Sequence, residues 1–367
     1  MANINDYLVW RGDLKISHSH PFNTVDAMVL SRISYLPLHK ISLKRSEPLW
    51  KIATKLLALK EEDFAWPDDV PLTELLQSSR RFRHMRVTDF VRQNDQKITK
   101  QFTAVTIHTS KSELYISFFG TDESLYGWEE DFNMTFMEKV PAQEAASDYV
   151  KHILRKYPWK LARIGGQSKG GTLSMYAAIM ASDLEQHRLL SVYNFDGPGL
   201  SKKLLDCDTG WVRALPLIHS YIPQDSIIGR LLEHREQFTV VKSNAKTLFQ
   251  HDIYSWEVSP THPVTSKSTP KSDFIDKTIT KWLQEASDEQ RRIFVKILFE
   301  VLEDSHVGNP MKATLHWRSS LPAMVKSYRK INKEDRKIVN EVIKKLIGSY
   351  VEALKDSEPQ NNSKSQN

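Results

Sequence analysis

Apolar positions fall first at helical spacing, then into short β-rich runs alternating with helices, then at helical spacing again. Residues 1–60 read as mainly helical. Residues 22–30 offer Asn23 or Thr24 as an N-cap, Asp26 in the first turn and an apolar face beyond. Trp50, Ala53, Leu56 and Leu57 repeat that spacing, and a loop at residues 61–71 enters a short helix at 72–77. Residues 102–108 and 114–119 are dense in β-branched and aromatic side chains and read as a hairpin. Pro141 opens a helix running to about Tyr157. Residues 161–164, 189–195, 215–222 and 238–243 read as further strands with helical segments between most of them. Strands and helices alternating at this interval predict βαβ units. The fold class is therefore α/β: a mostly parallel central sheet flanked by helices, with a helical N-terminal region and a helical C-terminal extension.

The pattern also divides the chain. Residues 1–260 form the α/β domain. Residues 261–272, rich in Ser, Thr, Pro and Lys, read as a linker. Residues 273–356 form a helical module: Ser287 to Gln290 is a capping box, and Asn332 starts a second helix with Ile338, Val342, Leu346 and Val351 on one face. Residues 357–367, built from Ser, Asn, Gln and Lys with one Pro, read as a disordered tail. No internal repeat is found.

Composition narrows the functional classes. Apolar content of 40% and charged content of 26% suit a soluble globular protein. The one cysteine, Cys207, excludes an internal disulfide and fits a reducing compartment, so a cytoplasmic location is expected. The N-terminus has neither a basic start nor an apolar core, so no signal peptide is read there, and no run is apolar enough to span a bilayer. A net charge of +6 permits weak contact with an anionic membrane surface. No zinc-finger spacing, RNA-binding aromatic motif or long basic run points to nucleic acid. One basic cluster stands out: Arg80, Arg81, Arg83, His84 and Arg86 around Phe82 and Met85. It reads either as a solvated helix face or as a grip for a phosphate or anionic head group.

The chemistry centres on Gly166-Gln167-Ser168-Lys169-Gly170, between the 161–164 strand and an Ala-rich helical segment. A G-x-S-x-G elbow lifts a serine hydroxyl out of a sharp strand-to-helix turn. The strained backbone leaves no room for side chains two positions either side. The alternative is a glycine-rich turn that only packs a helix on a sheet; the G-x-x-x-x-G-K-[ST] spacing of a phosphate loop is missing. A serine nucleophile needs a base, a group to orient that base, and donors for the oxyanion. Gly120, Ser168, Asp196, Asp225 and His251 all fall just after expected strand ends, where open α/β sheets bind ligands. His251 is the expected base, with His219 and His234 as rivals held within a strand and a helix. Asp225 is the expected acid. Asp196 in Asp-Gly-Pro-Gly is its rival, with a turn-forming role as the alternative; Asp252, next to His251, carries little weight. The backbone amides of Lys169 and Thr121 are the expected oxyanion donors, the Thr121 hydroxyl assisting. The Lys169 ammonium is expected to attract an anionic substrate, to face solvent, or to pair with Glu129, Glu130 or Asp131.

Five blocks in order resemble lipase class 3, the fungal-lipase type of α/β-hydrolase: Phe118-Phe119-Gly120-Thr121, Gly166 to Gly171, Asn194 to Gly199, Ile222-Pro223-Gln224-Asp225, and Gln250 to Trp256. The sequence is more closely similar to an uncharacterised bacterial family of class-3-lipase-like proteins, which shares the Asp6-Tyr7 to Arg11-Gly12-Asp13 opening and the Ser168-Lys169-Gly170-Gly171 elbow. The resemblance covers roughly residues 1–260. It implies Ser168 as nucleophile, Asp225 as acid, His251 as base, and Thr121 with Lys169 at the oxyanion hole. Unlike in secreted lipases, no signal peptide or disulfide is expected here, and Lys169 stands where those lipases carry a histidine or an apolar residue. The expected activity is cleavage of acyl esters in a small molecule or lipid, with no metal or cofactor. An inactive binding protein on the same fold, or an acyltransferase or thioesterase using the same triad, are the alternatives.

Overall fold

The computed structural model describes residues 2–122, 124–207, 209–306 and 317–357; of the tail expected at 357–367, all but Ser357, which ends a helix, lies outside them. The chain forms two compact units, Met1–Ser268 and Thr269–Asn367.

The first unit is built on one sheet of eight strands whose spatial order is their order in sequence. These are β1 (Ser46–Pro48), β2 (Arg86–Asp95), β3 (Lys100–His108), β4 (Glu113–Phe118), β5 (Leu161–Gln167), β6 (Leu189–Phe195), β7 (Ile218–Pro223) and β8 (Phe238–Val241). β1 to β4 pair antiparallel, with β3 and β4 as the expected hairpin; β4 to β8 pair parallel. The β1 and β2 strands are additions to the expected sheet. The basic run at residues 80–86 is a turn leading into β2, not a helix face.

Sheet order explains why the N-terminal helices are needed. Parallel crossovers are right-handed. When each successive strand is laid down on the same side of the last, the crossover helices collect on one face of the sheet. Helices α6 (Pro141–Lys156) and α7 (Lys169–Ile179) do so, packing Ala146, Val150, Ile153 and Leu173 on Leu114, Ile116, Ile164 and Val192. The opposite face, carrying Tyr115, Tyr193 and Phe195, would be bare. Residues 4–82 cover it through α1 (Ile4–Arg11), α2 (Thr24–Arg32), α3 (Leu49–Leu56) and α4 (Asp69–Ser78). The alternation of Tyr115 with Leu114 and Ile116 between these clusters is the two-residue period of a strand buried on both sides. Asn23 caps α2, accepting from the Val25 and Asp26 amides at 2.9 and 3.2 Å.

The segment expected as a linker begins as an edge ribbon on β8. The Lys242 amide donates to Val264 at 2.8 Å and the Ser266 amide to Val240 at 2.9 Å. Those bonds satisfy backbone groups that an open edge strand would leave bare. The second unit contains helices Pro270–Glu285, Asp288–Asp304, Trp317–Tyr328 and Lys333–Ser357. Its own core is Ile293, Ile297, Val301 and Val339, with Phe294 and Tyr328 packed against it. Ser287 and Asn332 cap their helices as expected. Among the described residues, no helix is long and apolar enough to cross a membrane.

Candidate active site

Ser168 sits between β5 and α7 with φ 57° and ψ −138°, a left-side conformation that L-residues rarely adopt. Its amide is held by the Phe195 carbonyl of β6 at 2.9 Å, and its own carbonyl accepts from Gly171 at 2.8 Å. The glycine spacing has a steric cause that the structure makes explicit. A Cβ on Gly166 would lie 2.5 Å from the Phe118 oxygen, and one on Gly170 would lie 2.3 Å from it. Both turns of the elbow press on the end of β4, so no side chain fits.

His251 ends a short 3-10 turn, Thr247–His251. Its Nδ1 lies 2.6 Å from Oδ2 of Asp196, whose side chain is 1% exposed against 25% for the histidine. Ser226 donates to the other carboxylate oxygen at 2.5 Å. Asp196 itself has a positive φ of 54°, and its amide is anchored on Tyr221 at 2.8 Å. The imidazole's partner is thus Asp196 and not Asp225, the carboxylate expected from the sequence. Asp225 turns to Gln250 instead: its amide donates to Oε1 at 3.0 Å, and Nε2 of Gln250 donates back to its carboxylate at 2.9 Å. Sheet order is the reason. Asp196 follows β6, which neighbours β5, whereas Asp225 follows β7, one strand and roughly 4.8 Å farther out. Asp225 secures the residue next to His251, and Gln167 fixes His251 from the elbow side by donating to its carbonyl at 2.5 Å.

The rival histidines are engaged elsewhere. His219 lies within β7, its pKa lowered by burial, and His234 lies in a loop, not a helix, with Nδ1 2.8 Å from Glu236. The Asp252 side chain accepts from the Tyr254 amide at 3.0 Å.

At the expected oxyanion hole, the Lys169 amide occupies the first position of α7, where a helix offers no internal acceptor. The Gly120–Thr121 turn runs directly past the nucleophile: a Cβ on Gly120 would sit 3.1 Å from the Ser168 Cβ. Tyr35 holds that turn to the elbow, accepting from the Gly120 amide at 3.1 Å and donating to the Gln167 carbonyl at 3.0 Å. The Thr121 hydroxyl does not aim at the site; it donates to Asp131 at 2.5 Å. Thr121 can therefore offer its amide but not its hydroxyl.

The Lys169 side chain is buried. Its ammonium lies 3.0 Å from Glu130 and 3.3 Å from Asp131, both on helix α5 (Leu125–Asn133). Burial would lower the lysine pKa, but the Asp131 and Glu130 charges together raise it. The Asp131 carboxyl is pushed up chiefly by burial, with Lys169 opposing. Glu130 also accepts from the Gln101 and Ala142 amides, both at 2.9 Å, so β3, α6 and α7 are tied to α5 through one buried cluster. On the other face, Arg32 is fully buried, bonding Asp69 at 2.6 Å and Oε1 of Gln167 at 3.1 Å. The two residues flanking Ser168 are thus each gripped by a buried charged group. The sequence offered the first as one of three readings of Lys169, pairing with Glu129, Glu130 or Asp131; nothing in the spacing of Arg32 and Asp69 signals the second. Among the described residues, no group of three or more His, Cys, Asp and Glu could hold a metal ion.

A family model described as Mbeg1-like matches residues 76–300. Among curated proteins none matches the chain. Solved structures similar to it include a Rhizomucor miehei lipase in complex with its propeptide, 14% identical with a TM-score of 0.34, covering 44% of this chain and 58% of the lipase. M37 lipase is 15% identical, TM-score 0.36, covering 62% of this chain and 76% of that one. A lipase from Rhizopus microsporus var. chinensis is 12% identical, TM-score 0.36, covering 69% and 84%.

Proposed function

The chain belongs to the Mbeg1-like family, and from that premise we propose that it is a serine hydrolase of carboxylic acyl esters, with Ser168 as nucleophile, His251 as base and Asp196 as the acid. The observation that carries this reading is the His251–Asp196 pair, at 2.6 Å, with the His251 carbonyl bonded to Gln167, the residue before a serine held at φ 57°. In the first half-reaction the Ser168 Oγ attacks the ester carbonyl while His251 takes its proton. Asp196 fixes the tautomer and stabilises the imidazolium. The oxyanion that forms is met by the Lys169 amide and the dipole end of α7, with the Thr121 amide completing the hole. His251 then gives its proton to the departing alcohol oxygen, leaving an acyl ester on Ser168. Water, deprotonated by His251, attacks that ester and releases the acid.

Small soluble esters, monoacylglycerols and lysophospholipids are the substrate classes to screen. Ser168→Ala is expected to cut turnover of p-nitrophenyl acyl esters by about 10⁶-fold and to abolish labelling by a fluorophosphonate probe, with an unchanged circular dichroism spectrum. A folded wild-type chain that takes no label would mark the protein as a non-catalytic member of the fold.

A further inference from the structure

A cavity of about 1050 Å³ lies at the opposite end of the sheet from Ser168. Its walls come from the turn before β2, the start of β2, the end of β3 and the segment leading into β5. These are the amino ends of the parallel strands, whereas Ser168, Asp196 and His251 sit at the carboxyl ends. The length of β5 alone puts roughly 20 Å between the two places.

Nine of the eighteen lining residues are Lys or Arg and none is acidic. Those nine charges exceed the +6 of the whole chain, so the rest of the molecule is net negative. Two of the nine are neutralised from behind: Arg81 by Asp26, and Lys156 by Asp89. Arg86 is aimed by neutral acceptors, the Ser46 hydroxyl at 2.8 Å and carbonyl at 2.7 Å, and Lys160 by the Ser110 carbonyl at 2.9 Å. Lys44 lies near Glu47, but that carboxylate is bonded to Lys55 at 2.7 Å. Lys15, Arg45, Arg80 and Lys111 complete the rim. Gathering like charges in one concavity costs stability unless something offsets them.

The floor differs from the rim. Ile16, Met85 and Tyr157 are its apolar part. His108 stands beside them, its pKa pushed down to about 4 mainly by burial, then by Lys160. The Thr109 hydroxyl is buried with no hydrogen-bond partner. Guanidinium forks and ammonium groups around an apolar floor suit an organic molecule carrying several phosphates. The concavity is large enough for a small molecule. A bilayer held at this end would face away from Ser168, which disfavours a membrane as the source of the phosphates.

We infer that this cavity is a binding site for a soluble, multiply phosphorylated small molecule, separate from the candidate active site; only its preference for a soluble source over a membrane rests on the hydrolase reading. The test is titration calorimetry of the full-length protein with inorganic tripolyphosphate, alongside sedimentation with vesicles of phosphatidylglycerol and phosphatidylcholine. The expected result is saturable binding of one tripolyphosphate per chain. The Arg80→Ala, Lys111→Ala double variant, both exposed positions, should weaken it by roughly ten-fold or more, and Lys97→Ala, at the far tip of β2, should not. Absence of saturable binding, equal weakening by Lys97→Ala, or binding to vesicles alone would each overturn the inference.

Discussion

Asp196 carries two constraints at once: a positive φ of 54° and a carboxylate shared between His251 and Ser226. In sequence it reads as the first residue of a tight Asp-Gly-Pro-Gly turn, while Asp225 sits in a post-strand loop between nucleophile and base. Residue spacing told which side chains follow strands; it did not tell which strands are neighbours, and that decides the pairing. Asparagine substitution separates the two carboxylates. Asp196→Asn is expected to lower ester turnover by about 10⁴-fold through loss of the correct imidazole tautomer. Asp225→Asn is expected to change it by less than about ten-fold, since it keeps the shape that holds Gln250. Steady-state kinetics on one p-nitrophenyl ester checks both, and the reverse ranking would return Asp225 to the reaction.

Among the elements, those with local signatures were legible. Asn23, Pro141, Ser287 and Asn332 announce helix starts through capping chemistry, which acts within one turn and needs no tertiary partner. β2 was not legible. Its Arg86, Arg92, Gln93, Asn94 and Asp95 are strand residues only because β3 pairs with them, and Asp89 falls in the bulge between Thr88 and Val91. Helix α5 was missed for a related reason: its acidic residues are explained by the lysine they bury, which lies 38 positions away from Asp131 in Lys169. Lys169→Met tests that link. Removing the ammonium leaves Glu130 and Asp131 buried together, and chemical denaturation is expected to register a loss of about 3–5 kcal/mol. Adding Glu130→Gln to that variant should restore part of the loss; no recovery would mean the cluster is not held by charge.

At the level of the whole molecule, the sheet-bearing unit has its cores on either face of one sheet, and the helical unit has a core of its own. A fragment ending at Ser268 keeps the β8 edge ribbon and all of Ser168, Asp196 and His251. It is expected to unfold in a single cooperative transition and to take the fluorophosphonate label at the full-length rate. Loss of labelling in a folded fragment would assign the helical unit a part in the reaction. The family match extends to residue 300, past that boundary and into the second helix of the helical unit.

The ion cluster beneath α5 bears on how a substrate gets in. Many lipid-cleaving enzymes gain entry by swinging a surface helix aside. Here helix α5 is moored to the fully enclosed Lys169 ammonium, and lifting it would part that cation from the Glu130 and Asp131 carboxylates. Under the proposed hydrolase reading, substrate is expected to enter from the flank where a quarter of the His251 side chain meets water.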